Sequence, residues 1–201
     1  MAAPLDFSSQ NVGDFCDTIS AETSAPGGGS VAAVVGAMGA SLTAMAARFS
    51  KEQWEDAAGA VAQAEALKAR LLPLADEDAR AYETVLLALR MPRDVDVDVD
   101  DDVRDAAIGD ALSRATDVPL AIAEASLDVA TLACELAERG NPNLHGDAAA
   151  AVFLSESAVR TCANLVEINL ATQEGDERLD RARELVELVR RISRRVLEPT
   201  G

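Results

Sequence analysis

Residues 24–47, SAPGGGSVAAVVGAMGASLTAMAA, carry no charge, in a chain of 201 residues where 35 Asp and Glu face only 18 Lys and Arg. An uncharged run of this length has to be hidden from water, in lipid or in a protein core, and so it constrains the fold more than any other stretch. Residues 31–47 fall short of the about twenty strongly apolar residues a membrane span requires, and they are diluted by Ala, Gly, Ser and Thr. A Walker-type phosphate loop would need a lysine close behind the glycines, and PGGGSVAAVV has none. What is left is a glycine turn, Pro26 to Gly29, feeding a helix that Ser30 caps and that runs to about Phe49. The free N–H groups of such a helix start can accept an anion or a ligand carbonyl. Gly28, Ala32, Gly36, Ala40 and Ala44 recur every fourth residue, a stripe that lets another helix approach closely, within a bundle or across a dimer.

Aromatic residues make up only 3% of the chain, and the apolar 49% rests mainly on Ala, Val and Leu. That composition suits closely packed helices rather than a sheet. The expected fold is all-α, a helical bundle of long, partly kinked helices that dimerises through helix packing, in a single domain spanning 1–201. The net charge of −17 repels nucleic acid and anionic lipid, so neither is expected as a partner. With Lys51 and Lys68 the only lysines, the acidic surface also fits a halophilic source, where salt screens its self-repulsion. Cys16, Cys134 and Cys162 are too scattered for a zinc site or a disulfide framework and read as buried thiols. The N-terminus lacks the basic and apolar regions of a secretory signal, and a cytoplasmic protein is expected.

Asn11 is placed to cap a short helix with Val12, Phe15, Cys16 and Ile19 on one face. Residues 52–90 continue an amphipathic pattern in which Pro73 predicts a kink or an interruption. The stretch MPRDVDVDVDDDVRD alternates like a strand, but its density of acids favours a solvated loop over about 92–102. Helix is expected again from near Val103 to Arg139, with Pro119 as a second interruption. RGNPN then stops it, with Gly140 suited to a left-handed C-cap. Two further helices are expected over about 146–172 and 176–197, before a frayed tail at 198–201.

Two segments together resemble a known family. SAPGGGSVAAVVGAMGASLTAMAARFS is similar to the N-terminal signature of the cyclodeaminase and methenyltetrahydrofolate cyclohydrolase family, and GNPNLHGDAAAAVFLSESAVRTCANLVEINLA to its second signature. LADEDARAYETVLLALRMPR and ATDVPLAIAEA are similar to the helices between them, so the likeness extends from about Phe15 to Ala171. The resemblance implies an all-α homodimer that binds a tetrahydrofolate derivative near the subunit interface, with no cofactor and no metal. It implies either hydrolysis of 5,10-methenyltetrahydrofolate to 10-formyltetrahydrofolate or cyclisation of 5-formiminotetrahydrofolate with loss of ammonia. The first is preferred because 201 residues leave no room for a formiminotransferase portion. A folate-binding dimer without turnover and a generic helical adaptor are the non-enzymatic alternatives.

Hydrolysis of a cationic amidinium carbon calls for a carboxylate that stabilises the cation, takes a proton from water and returns it to the departing nitrogen. Asp147, just past the GNPN turn, matches the family's acidic position; its structural alternative is to cap the helix beginning there. His145, the only histidine, lies in the same loop and is a second catalytic candidate by proximity. Pro26, Gly27, Gly28, Gly29, Ser30, Asn141 and Asn143 are the candidate substrate contacts in the two signatures. Arg48, Lys51 and Arg160 are candidates for the anionic glutamate tail, each with an intrahelical ion pair as its alternative. Gly146, where serine is common in the family, and Glu167, where arginine is common, depart from its pattern.

Overall fold

A computed structural model describes residues 6–91, 98–171 and 175–198. The chain is all-α, with no strand among the described residues. The helices are α1 (Val12–Ser20), α2 (Gly28–Arg48), α3 (Ala57–Leu89), α4 (Asp98–Arg139), α5 (His145–Asn169) and α6 (Glu177–Leu197), with short 3-10 turns at Phe7–Ser9 and Pro142–Leu144.

The uncharged segment is the centre of the bundle. α2 packs against α3, α4 and α5, and α6 closes the far side over α4 and α5. By length and composition α2 could cross a membrane, but 61% of its most apolar window is buried among the other helices. The small residues account for this packing. A Cβ on Gly36 would stand 2.7 Å from Ser126 Oγ on α4, and one on Gly39 would stand 2.8 Å from Ser155 Oγ on α5. Three helices therefore approach one axis at distances that larger side chains forbid. Ala32, Gly36, Ala40 and Ala44 of the stripe are all buried inside this one chain, whereas Gly28 is exposed.

The outer half of α1 contributes less than its pattern suggests. Asn11 does cap the helix, accepting from the Asp14 N–H at 2.9 Å. Yet only Phe15 of its apolar face is buried, against Phe7 with ring centroids 5.9 Å apart, while Val12 is 67% exposed and Cys16 is exposed. A helix of nine residues reaches the bundle with one side chain, so of the three thiols only Cys134 and Cys162 are buried.

Neither proline interrupts its helix: Pro73 lies inside α3 and Pro119 inside α4. Proline at 119 leaves the carbonyl of Ala115 without its usual N–H donor, and the Asn169 side chain supplies one, Nδ2 donating to Ala115 O at 2.7 Å. α4 also begins earlier than the acidic pattern suggests. Residues 98–102 are helical rather than looped, in keeping with the preference of acid-rich sequence for the positive end of a helix dipole. The rest of the expected loop, 92–97, and the tail at 199–201 lie outside the described residues. Gly140 ends α4 without a left-handed conformation, which only Gly175 adopts among the described residues. It is glycine for space, since a Cβ there would meet Leu136 O at 2.5 Å and Ser50 Oγ at 2.8 Å.

Candidate active site

α2 begins at Gly28 with Gly27 as a cap that has no side chain to offer, and Ser30 is the third residue of the helix rather than its cap. The polar group at this helix start comes from α3 instead. The Asp78 carboxylate lies against Gly29, where any Cβ would overlap it, and the buried Ser30 hydroxyl is 3.1 Å from Asp78 Oδ2 and 2.8 Å from Ala75 O. Glycine at 29 is thus the condition for bringing a carboxylate onto the end of α2, where the opening N–H groups have no intrahelical partner.

Asp78 lies on a cleft of about 310 Å³ between the starts of α2 and the α3, α4 and α5 walls. Gly27, Gly28 and Gly29 form one side, and Ala115, Pro119 and Leu165 give it an apolar floor. Tyr82, one turn along α3 from Asp78, and Ile168 stand at the mouth and are 46% and 60% exposed. Asn169 completes the lining. Because Ala115 O can only accept, it fixes the orientation of the Asn169 amide, and Oδ1 is an acceptor with no donor among the described residues.

No Lys or Arg lines this cleft among the described residues. Burial pushes the Asp78 carboxyl above its ordinary value of 3.8, against the Ser30 hydroxyl and backbone N–H, which pull it down. The Cys162 thiol is raised as well, first by burial and then by the Asp78 charge. A half-buried carboxylate with donors but no counter-cation among the described residues is a group prepared to take up a proton or to meet a positive ligand.

The residues singled out from the two signatures do not form one cluster within a chain. The GNPN turn sits at the opposite end of α2. The Asn141 N–H donates to Ser50 Oγ at 2.9 Å and its Nδ2 to Phe49 O at 3.1 Å, while Asn141 Oδ1 accepts from the Asn143 N–H at 3.0 Å. α5 runs back along α2, with Thr161 beside Gly28 and Ala151 beside Gly39. At 1.5 Å per residue Asp147 is about 21 Å along the α5 axis from Thr161. The expectation that the GNPN turn supplies a carboxylate to the glycines is therefore not met inside one chain; Asp78 supplies it.

Asp147 is in the first turn of α5 and half-buried, and the cap position is Leu144. His145 Nδ1 lies 3.0 Å from Ala137 O; since a carbonyl only accepts, Nδ1 carries the proton and Nε2 is left to accept. The expected cations are elsewhere too. Arg48 Nη2 donates to Glu65 Oε1 at 2.7 Å, with Lys68 on the other oxygen of the same carboxylate. Arg160 pairs loosely with Glu156 at 3.4 Å, and Lys51 is exposed in the turn after α2. Pro26 is buried and faces a groove between α2 and α5 rather than the Asp78 cleft. Glu167, the charge-reversed position, faces Arg183 at 3.5 Å, so the reversal has a partner in α6. Gly146 is open, with nothing within 4 Å of a Cβ, and a serine would fit there.

The chain is thus an all-α bundle that closes three helices around a glycine-rich helix and sets a half-buried carboxylate at its start. The formiminotransferase-cyclodeaminase family model matches residues 11–187, and the chain belongs to that family. It is 32% identical over 166 residues to the methenyltetrahydrofolate cyclohydrolase of Methylorubrum extorquens, covering 80% of this chain and 79% of that one. It is 35% identical to the formimidoyltransferase-cyclodeaminase of Sus scrofa over 78% of this chain, but spans only 30% of that protein's length. The crystal structure of formiminotetrahydrofolate cyclodeaminase from Thermotoga maritima superposes with a TM-score of 0.83 at 26% identity, over 94% of both chains.

Proposed function

We propose that the chain is a methenyltetrahydrofolate cyclohydrolase that hydrolyses 5,10-methenyltetrahydrofolate to 10-formyltetrahydrofolate, with Asp78 as its acid–base group. The observation that carries this reading is the Asp78 carboxylate, half-buried on a cleft that no cation lines among the described residues. The methenyl carbon of the substrate is part of a cation and supplies the missing charge. Water adds to that carbon as Asp78 takes its proton. Asp78 then returns that proton to the ring nitrogen as the carbon–nitrogen bond breaks, and the remaining hydroxyl proton of the adduct passes to solvent as the carbonyl forms, leaving the formyl group on the other nitrogen and one proton released overall. The N–H groups of Gly28 and Gly29 and the Asn169 Oδ1 offer complementary contacts to the carbonyl and N–H edge of a pterin, and Tyr82 and Ile168 an apolar face for its ring.

The test is the decay of the methenyl absorbance above the spontaneous background, in salt high enough to keep the acidic protein folded. No enhancement by the native protein would sink the reading. Formiminotetrahydrofolate cyclodeamination is the second reading, favoured by the full-length likeness to the Thermotoga maritima cyclodeaminase. Given 5-formiminotetrahydrofolate, that activity makes the methenyl absorbance rise instead.

We also propose a cytoplasmic homodimer. The outer face of α2 (Val31, Val34, Val35, Met38, Leu42 and Met45) stays partly open along the helix, with Met38 43% exposed, and Phe153 of α5 is 39% exposed. An isologous pair that runs α2 antiparallel to its copy sets the GNPN turn of one chain at the glycine end of the other, which is the route by which Asp147, His145, Lys51 or Arg48 would enter the reaction. Mixing inactive Asp78→Asn chains with slowed Asp147→Asn chains tests this arrangement. Shared sites recover activity in the mixed dimer, whereas sites built from one chain recover none.

A further inference from the structure

Ser30 is completely buried, so its hydroxyl is not placed to touch a substrate. It has a single proton and two acceptors within reach, Ala75 O at 2.8 Å and Asp78 Oδ2 at 3.1 Å. Ala75 lies in the turn of α3 that precedes Asp78, so both acceptors are held by the same helix while the donor is held by α2. The other groups around the carboxylate do not compete for this role. Tyr82 of α3 stands at the mouth, α4 presents only Ala115 and Pro119, and the Asn169 amide of α5 is bound to Ala115 O. Among the described residues the remaining titratable neighbour is the Cys162 thiol of α5, kept protonated by its burial.

We propose that Ser30 is a positioning residue that follows the proton of Asp78, donating to its ionised carboxylate and turning to Ala75 O once Asp78 is protonated. In the first state the hydroxyl stabilises the anion that accepts the proton from water. In the second its oxygen accepts from the Asp78 O–H, so the acid is held in place until the proton passes to the departing nitrogen. No atom is lost or gained, because only the torsion of one hydroxyl changes. A bond to an ionised oxygen is stronger than the same bond to a neutral one, so the serine makes Asp78 a stronger acid than burial alone would allow.

The inference rests on Asp78 as the acid–base group, and the experiment separates the two. Ser30→Ala is expected to move the acid limb of the turnover profile to higher pH by about one unit, with turnover recovering above it, and Ser30→Thr is expected to restore the native limb. Carboxyl carbon NMR of the full chain, with Asp78 assigned through the resonance missing in Asp78→Asn, should show the same upward move without reference to activity. An unchanged Asp78 titration in Ser30→Ala, with Asp78→Asn inactive, overturns the role of Ser30 alone. Native turnover in Asp78→Asn overturns the reading of Asp78 itself. Should Ser30→Ala melt too low to assay, Ser30→Cys, which keeps a weak donor of similar size, is expected to give a smaller upward move in the NMR titration, and no move there counts against the proposal.

Discussion

The two ends of α2 carry the two signatures of the chain, and they differ in how their polar groups are satisfied. At the glycine end a half-buried carboxylate takes the Ser30 hydroxyl and backbone N–H, with no cation in the cleft among the described residues. At the other end the GNPN turn meets its needs locally: Asn141 bonds Ser50, Phe49 and Asn143, and the His145 ring bonds Ala137 O. The first end holds unspent electrostatic demand and the second is a well-made turn. Chemistry that depends on a cation and a proton belongs where that demand lies.

Asp78→Asn should break the comparison most sharply. Asparagine keeps the shape but cannot carry the proton, so turnover is expected to fall by about 10²- to 10⁴-fold, read from the methenyl absorbance. Melting reports on the same residue through pH. A carboxyl whose folded pKa is raised contributes stability that is fully present below its ordinary value of 3.8 and is lost as pH rises through the folded value. The native chain should therefore lose stability relative to Asp78→Asn across that window, and parallel melting profiles would show that the carboxyl is not held as described.

Gly29→Ala comes next. Its Cβ would occupy the place of the Asp78 carboxylate, so α3 or the helix start has to shift, with an expected loss of about 1–3 kcal/mol by chemical denaturation and a fall in turnover. The same change at Gly146, which meets nothing, is expected to leave stability nearly untouched. Asn169→Ala strands the Ala115 carbonyl opposite Pro119 and should cost about 1–3 kcal/mol, with KM rising more than kcat falls.

Asp147→Asn sharpens the contrast from the other side. Melting should move little, because the charge of a partly exposed first-turn aspartate is worth only about 0.3–1 kcal/mol against the helix dipole. Any loss of turnover is expected to be smaller than for Asp78→Asn and to depend on a second chain, as the mixing experiment reads. The smallest effect on the cleft should come from salt. With a net charge of −17 the melting temperature is expected to rise from dilute buffer to molar KCl, while the acid limb set by the half-buried Asp78 moves less, because partly buried groups are screened less than exposed ones.

Much of the fold is legible in residue pattern. Asn11 caps α1, the glycines start α2, and RGNPN separates α4 from α5, each because turn and cap chemistry is local. The prolines misled for a tertiary reason, since Asn169, more than fifty residues away at the end of α5, donates to the carbonyl that Pro119 strands. Asp78 was equally out of reach. It stands beside Asp76 and Glu77 in LADEDARAY, and one helix pattern gives no way to tell which of three neighbouring acids will face the glycines of α2; the most buried of them is Asp76, which accepts from the Phe7 N–H at 2.9 Å. A signal did exist in Asp78 and Tyr82, which share a helix face at a spacing of four, and in the quoted likeness of that segment to the family.

The sequence alone determined that this chain is helical, that its uncharged segment is the axis others pack on, and that its family is one of folate chemistry. Those properties follow from composition, periodicity and signature residues, all of which are local or additive along the chain. Tertiary structure alone decided that Gly29 exists for Asp78, that the serine meant as a cap is bonded to a carboxylate on another helix, and that the two signatures lie at opposite ends of α2. Burial and the approach of charges from distant parts of the chain are properties of packing in three dimensions, and no spacing in the sequence encodes them.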